Sequence, residues 1–173
     1  NSQDVATPTD DAALSLTNHI QYSLHTAAIT ALTCAPDGTA VASASADKTV
    51  QVWNPNYQDR RFFSITPTYQ QAATAVAWSP DGKNIASGSL DRTLCIWNVK
   101  KGATTLKASY PAAVTALAWS SDNTRLAVGC SNGMVYICDA NTLHTKFTYK
   151  EHSDSIHALA CGDIYMASAS ADS

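Results

Sequence analysis

The sequence predicts an all-β protein built from about four copies of one unit, and three observations carry that expectation. Laid against itself, the chain repeats: Ile29-Thr-Ala-Leu-Thr-Cys-Ala-Pro-Asp-Gly38 aligns with Ala73-Thr-Ala-Val-Ala-Trp-Ser-Pro-Asp-Gly82, with Val114-Thr-Ala-Leu-Ala-Trp-Ser-Ser-Asp-Asn123 and with Ile156-His-Ala-Leu-Ala-Cys161, at offsets of 44, 41 and 42 residues. Turn residues punctuate short apolar runs throughout. No stretch sustains a helical period.

Each element follows from local chemistry. Pro36-Asp37-Gly38 and Pro80-Asp81-Gly82 read as hairpin turns, because proline presets φ and glycine accepts a positive one. Asn132-Gly133 between two apolar runs is a strong short-range hairpin signal, and as a two-residue turn it sets Cys130 opposite Val135. Thr49–Trp53 alternates in character as a half-buried strand should. Ala40–Ala44 and Asn84–Gly88 are small-residue strands that let neighbouring sheets approach closely.

The later part of each unit also repeats. Ser43-Ala-Ser-Ala-Asp-Lys-Thr-Val-Gln-Val-Trp53 matches Ser87-Gly-Ser-Leu-Asp-Arg-Thr-Leu-Cys-Ile-Trp97, the third copy reads Val128-Gly-Cys-Ser-Asn-Gly-Met-Val-Tyr-Ile-Cys138, and a fourth opens at Ser168. With the Trp-Ser-Pro-Asp-Gly turn and the period, this resembles the WD-repeat β-propellers over about residues 12–173. The resemblance implies a ring of four-stranded blades whose strands, a to d, run outward from a central channel. Blades are expected at about 29–66, 73–107 and 114–148. A fourth combines 156–170 with a c–d hairpin from 12–24, and residues 1–11 form a polar tail. Rings of this family commonly hold about seven blades, roughly 300 residues. Three arrangements therefore stand open: a piece of a larger ring, two copies closing an eight-bladed ring, or a small closed four-bladed ring.

Composition narrows the function classes. The 173 residues are 14% charged with a net charge of −3, so no basic footprint for nucleic acid or an anionic membrane stands out. No apolar run reaches the roughly 18 residues of a spanning helix. Five cysteines with no CxxC pair read as reduced thiols in a cytoplasmic protein, and neither a metal nor a cofactor is expected.

His25, Ser45 and Asp47 invite a hydrolase reading, nucleophile with base and orienter. The resemblance implies instead a structural tetrad of His25, Ser45, Asp47 and Trp53, repeated as Tyr69, Ser89, Asp91 and Trp97 and in part as His152, Ser170 and Asp172, whereas Tyr110, Cys130, Asn132 and Cys138 occupy the four positions of the third blade and leave it without the polar tetrad. Repetition favours the structural role, because a catalytic site is rarely built several times around a ring. Arg60-Arg61 and Lys100-Lys101 are expected as solvated loop charges. The face gathering the d–a and b–c loops, with Tyr69, Gln70, Leu90, Arg92, Tyr110 and Ser131, is the expected docking surface. The expected function is a non-enzymatic scaffold presenting a rigid face to a protein or peptide. The alternative is the regulatory part of a larger signalling protein, such as a kinase-linked propeller.

Overall fold

A computed structural model describes residues 25–54, 63–65, 69–162 and 165–172 of the chain. The first sheet is antiparallel and holds β1 (Ile29–Cys34), β2 (Val41–Ser45), β3 (Val50–Trp53) and β4 (Phe63–Ile65) in chain order. The same meander recurs as β5 (Ala73–Trp78), β6 (Asn84–Ser89), β7 (Thr93–Asn98) and β8 (Ala103–Ser109). It recurs again as β9 (Val114–Trp119), β10 (Arg125–Cys130), β11 (Val135–Asp139) and β12 (Thr145–Tyr149). The pair β13 (Ile156–Cys161) and β14 (Met166–Ser170) begins a fourth blade. The expected 12–24 hairpin, the 1–11 tail and Arg60-Arg61 lie outside the described residues.

The turns obey the repeat. In the a–b hairpins, Gly38, Gly82 and Asn123 share one left-handed position, with φ of 70°, 71° and 60°. In the b–c hairpins Lys48, Arg92 and Gly133 do the same, at 73°, 71° and 78°. The Asn132-Gly133 hairpin is thereby one residue longer than a two-residue turn. Gly133 N–H donates to Cys130 C=O and Cys130 N–H to Met134 C=O, so that Gly129, not Cys130, lies opposite Val135. Glycine at 133 answers to packing as well, since a Cβ there would stand 2.2 Å from the carbonyl oxygen of His152 in the next blade.

The core lies between blades. The inner strands meet in the order β1, β5, β9, β13. Between the first two blades Ala44, Val50, Ala73, Val76, Trp78, Ile85 and Trp97 form one apolar cluster, and a second follows around Leu94, Ile96, Val114, Trp119 and Leu126. A third joins Ala127, Val135 and Ile137 to Ile156. Backbone ties cross the same junctions: the hydroxyl of Thr30 donates to Ala73 C=O at 2.7 Å, and Thr74 repeats the contact with Val114 C=O. Trp119 Nε1 reaches Ala77 C=O at 3.1 Å. The described residues form an arc of stacked sheets. On β1, Ile29 is 54% exposed and Leu32 60%, whereas the equivalent Ala73, Val114 and Ile156 are wholly buried.

Candidate functional site

The blade networks form at the top of each sheet, where the loop entering strand a folds over the b–c turn. In the first blade His25 Nδ1 meets Asp47 Oδ2 at 2.9 Å and Nε2 meets the hydroxyl of Ser43 at 2.7 Å. Ser43, not Ser45, is therefore the serine of this network. Ser45 instead donates to the carbonyls of Ala27 and Ala28 at 3.1 and 3.0 Å and accepts the N–H of Asp47. The reason is alternation: residues two apart share a face of the strand, and the long imidazole reaches past the strand end to the deeper of the two.

The same correction applies to Ser89 and Ser170. Tyr69 hydroxyl lies 2.7 Å from Ser87 Oγ, which also accepts from Trp97 Nε1 at 3.0 Å. Ser89 donates to Gln71 C=O. In the fourth blade His152 joins Asp172 at 2.8 Å and Ser168 at 2.9 Å, while Ser170 serves the loop by donating to Asp154 C=O. A Ser-His-Asp nucleophile at Ser45 is thus not assembled, and the serine that does meet His25 is only 2% exposed, out of a substrate's reach.

The third blade replaces the polar network with sulfur. Tyr110 hydroxyl lies 3.2 Å from Cys138 Sγ, and its ring tilts against Tyr136 with centroids 5.1 Å apart. By register the serine's place belongs to Val128, and Cys130 corresponds to Ser45 and Ser89. Asn132 keeps the turn role of Asp47 and Asp91, accepting the N–H of Met134 as they accept those of Thr49 and Thr93. Burial pushes the Cys130 thiol up to about 12 and raises the Tyr110 phenol, so both stay protonated at neutral pH.

Carboxylates at the turns respond to their donors. Burial by itself raises the Asp47 carboxyl, but the Thr49 hydroxyl, the Thr26 N–H and His25 outweigh it and hold it at about 2. The Ser120 hydroxyl and Thr124 bring Asp122 to about 2, and the Ser153 N–H and His152 bring Asp172 there too. Against an ordinary 3.8, these folded-state values are depressed. Their stabilisation is present above about pH 4 and is lost as pH falls toward 2. The urea midpoint is expected to be flat from about pH 7 to 5 and to drop steeply below 4. A midpoint unchanged between pH 4 and 2 contradicts this account.

Two of the expected docking residues are corrected by burial. Tyr69 and Tyr110 are 5% and 8% exposed, because each fills the place of the loop histidine and turns its hydroxyl inward. Gln70, Leu90, Arg92 and Ser131 do lie exposed on one face. There the b–c turns are stitched to the d–a loops: Ala46, Leu90 and Ser131 donate N–H to the carbonyls of Ala28, Ala72 and Ala113. Leu90 is the large apolar side chain among these equivalent positions, at 43% exposure. Asp91 fixes it from below, accepting from Gln70 N–H at 2.7 Å and from Thr93 N–H at 2.9 Å. Lys100 and Lys101 are exposed on the opposite face, in the c–d turn. Among the described residues, no group of three or more His, Cys, Asp and Glu is placed to hold a metal, and no helix is long and apolar enough to cross a membrane.

Sheets of four antiparallel strands, stacked through their faces around shared inner strands, define a β-propeller arc. Comparison gives the family. The WD domain, G-beta repeat, matches residues 16–54 and 64–98, and the anaphase-promoting complex subunit 4 WD40 domain matches residues 105–163. The chain belongs to the WD-repeat family, whose members serve in general as protein-interaction scaffolds and are typically non-enzymatic. Its fold is similar to that in the crystal structure of RRP9 WD40 repeats, with a TM-score of 0.73 and 23% identity over 80% of this chain and 43% of that one. The structure of U3-55K gives the same TM-score and identity, with 44% of that chain covered. This chain thus spans less than half of each. No curated protein matches it.

Proposed function

We propose that the chain is a non-enzymatic scaffold that binds a protein or peptide on the face formed by its d–a and b–c loops. The observation that carries this reading is Leu90, a large apolar side chain held out to solvent on a turn that Asp91 locks to the neighbouring loop. A rigid turn loses little entropy on association, so an exposed leucine there anchors a partner at small cost. Gln70 and Arg92 beside it supply polar donors for the rim.

A photo-crosslinking residue at position 90 tests the reading in cells, with one at Lys101 on the opposite face as the control. Position 90 is expected to give a discrete protein adduct, and Leu90→Asp to weaken capture of that protein at least about tenfold without lowering the melting temperature. Equal adducts from both faces, or no loss with Leu90→Asp, defeats the proposal.

A further inference from the structure

The junction between the first two blades is open where the next junction is closed. On the side of the a–b and c–d turns it leaves a cavity of about 240 Å³, whose lining includes Asp37, Val52, Trp53, Trp78, Gly82 and Val99. The room traces to two glycines of the second blade. Gly102 and the third blade's Leu143 hold one position in the c–d turn. Their φ values are 60° and 59°, and each N–H donates to the carbonyl four residues back, Asn98 at 2.9 Å and Asp139 at 2.8 Å. Leu143 is buried in the cluster between the second and third blades with Ile96 and Trp119, whereas a Cβ on Gly102 would meet nothing within 4 Å. In the a–b turn, Asn123 ties the third blade to the second by accepting the N–H of Asp81 at 3.0 Å. Its counterpart Gly82 has no side chain with which to reach the first blade.

The cavity also borders a carboxylate without a counter-charge. Asp81, at the same place in the second blade, pairs with Lys83 at 3.3 Å, and Asp122 in the third feels the charge of Arg125. In the first blade Thr39 and Ala40 stand where Lys83 and Arg125 do. Asp37 makes no ion pair among the described residues, Lys100 and Lys101 of the neighbouring c–d turn included. The N–H and hydroxyl of Thr39, at 3.0 and 2.7 Å, hold its carboxyl below the ordinary range, so it is charged at neutral pH. The other walls are apolar: Trp78 spends its indole N–H on Gly82 C=O at 3.2 Å, and Val52 and Val99 complete the lining around it.

We propose that this cavity is a binding site for a small organic cation of the guanidinium type. The flat, weakly hydrated body of a guanidinium stacks on indole rings while its N–H groups donate to a carboxylate. An ammonium, a more strongly hydrated point charge, gains less from the same walls. Volume sets the size of the ligand. The cavity falls below the roughly 300–1,000 Å³ of a drug-sized pocket, so it admits one such group with a short alkyl chain. It lies on the face opposite Leu90, and neither site depends on the other.

Titration of the isotope-labelled full chain with butylguanidinium, followed by NMR, tests this, with butylurea as the neutral isostere. Butylguanidinium is expected to shift the Trp78 indole N–H and the Val99 amide saturably, and butylurea to bind at least about tenfold more weakly. Asp37→Asn, on an exposed turn, is expected to bring the cation down to the affinity of butylurea. Gly102→Leu copies Leu143 and is expected to abolish binding of both probes while the third-blade signals stay in place. No saturable shift, or equal affinity for the two probes, overturns the proposal, as does a cation affinity that either substitution leaves unchanged. So does a Trp78 indole signal that moves on joint Arg60→Ala and Arg61→Ala substitution without any probe, because the chain's own cations would then fill the cavity.

Discussion

Trp97→Ala is expected to cost about 3–5 kcal/mol, the range for a large buried aromatic, and to lower the urea midpoint in proportion. Two losses combine. The indole is 5% exposed and packs between the first two blades with Trp78 and Ile85, so its removal opens a cavity that rigid sheets on either side cannot fill. Its N–H is also one of the partners of Ser87 Oγ, a wholly buried hydroxyl that otherwise meets Tyr69. Trp97→Phe separates the two: it keeps most of the packing and is expected to cost about 1–2 kcal/mol for the missing donor. Trp53→Ala, the equivalent change in the first blade, is expected to cost less, since Trp53 is only half-buried. A loss below about 1 kcal/mol at position 97 would falsify this picture of the blade interface.

Gly129→Ala is expected to destabilise by about 1–3 kcal/mol through overpacking alone. The added methyl meets Ile156 Cβ at 2.9 Å and Leu159 Cδ1 at 3.2 Å, on a strand with buried neighbours on both sides. Ile156→Ala by itself leaves a cavity and is expected to cost about 2–5 kcal/mol. Together the substitutions recreate Ala44 with Ala73, the equivalent pair at the first junction, so the double variant should cost at least about 1 kcal/mol less than the sum of the two. Strict additivity in urea titrations would show that the two positions do not touch across the junction.

Blade order and strand type were legible because the repeat writes them several times over: the aligned Trp78 and Trp119, the Pro-Asp-Gly turns and the recurrent Asp47 and Asp91 fix them. The serine of each network was not. Ser43-Ala-Ser45 and Ser87-Gly-Ser89 place two serines on one strand face, and only the reach of the loop side chain decides between them. Tyr69 and Tyr110 look like surface aromatics in sequence, yet each turns inward because the site it fills is a histidine's. The Gly88–Val114 and Gly129–Ile156 contacts were half visible, as small residues inside strands. Their partners lie about 26 residues away in the next blade, beyond any local pattern.

The cysteines give the arc a built-in readout of its own cooperativity. Cys34 lies in the first blade, Cys95 in the second, Cys130 and Cys138 in the third and Cys161 in the fourth, and none of them is in a disulfide. Cys34 is exposed and Cys161 partly so, while the three between them are buried. Alkylation of a buried thiol requires its blade to open, so labelling rates followed by mass spectrometry report how far an opening spreads from blade to blade. In a stack held together by nearest-neighbour contacts, protection should rise from either end toward the middle. The chain thus carries its own gradient of chemical clocks.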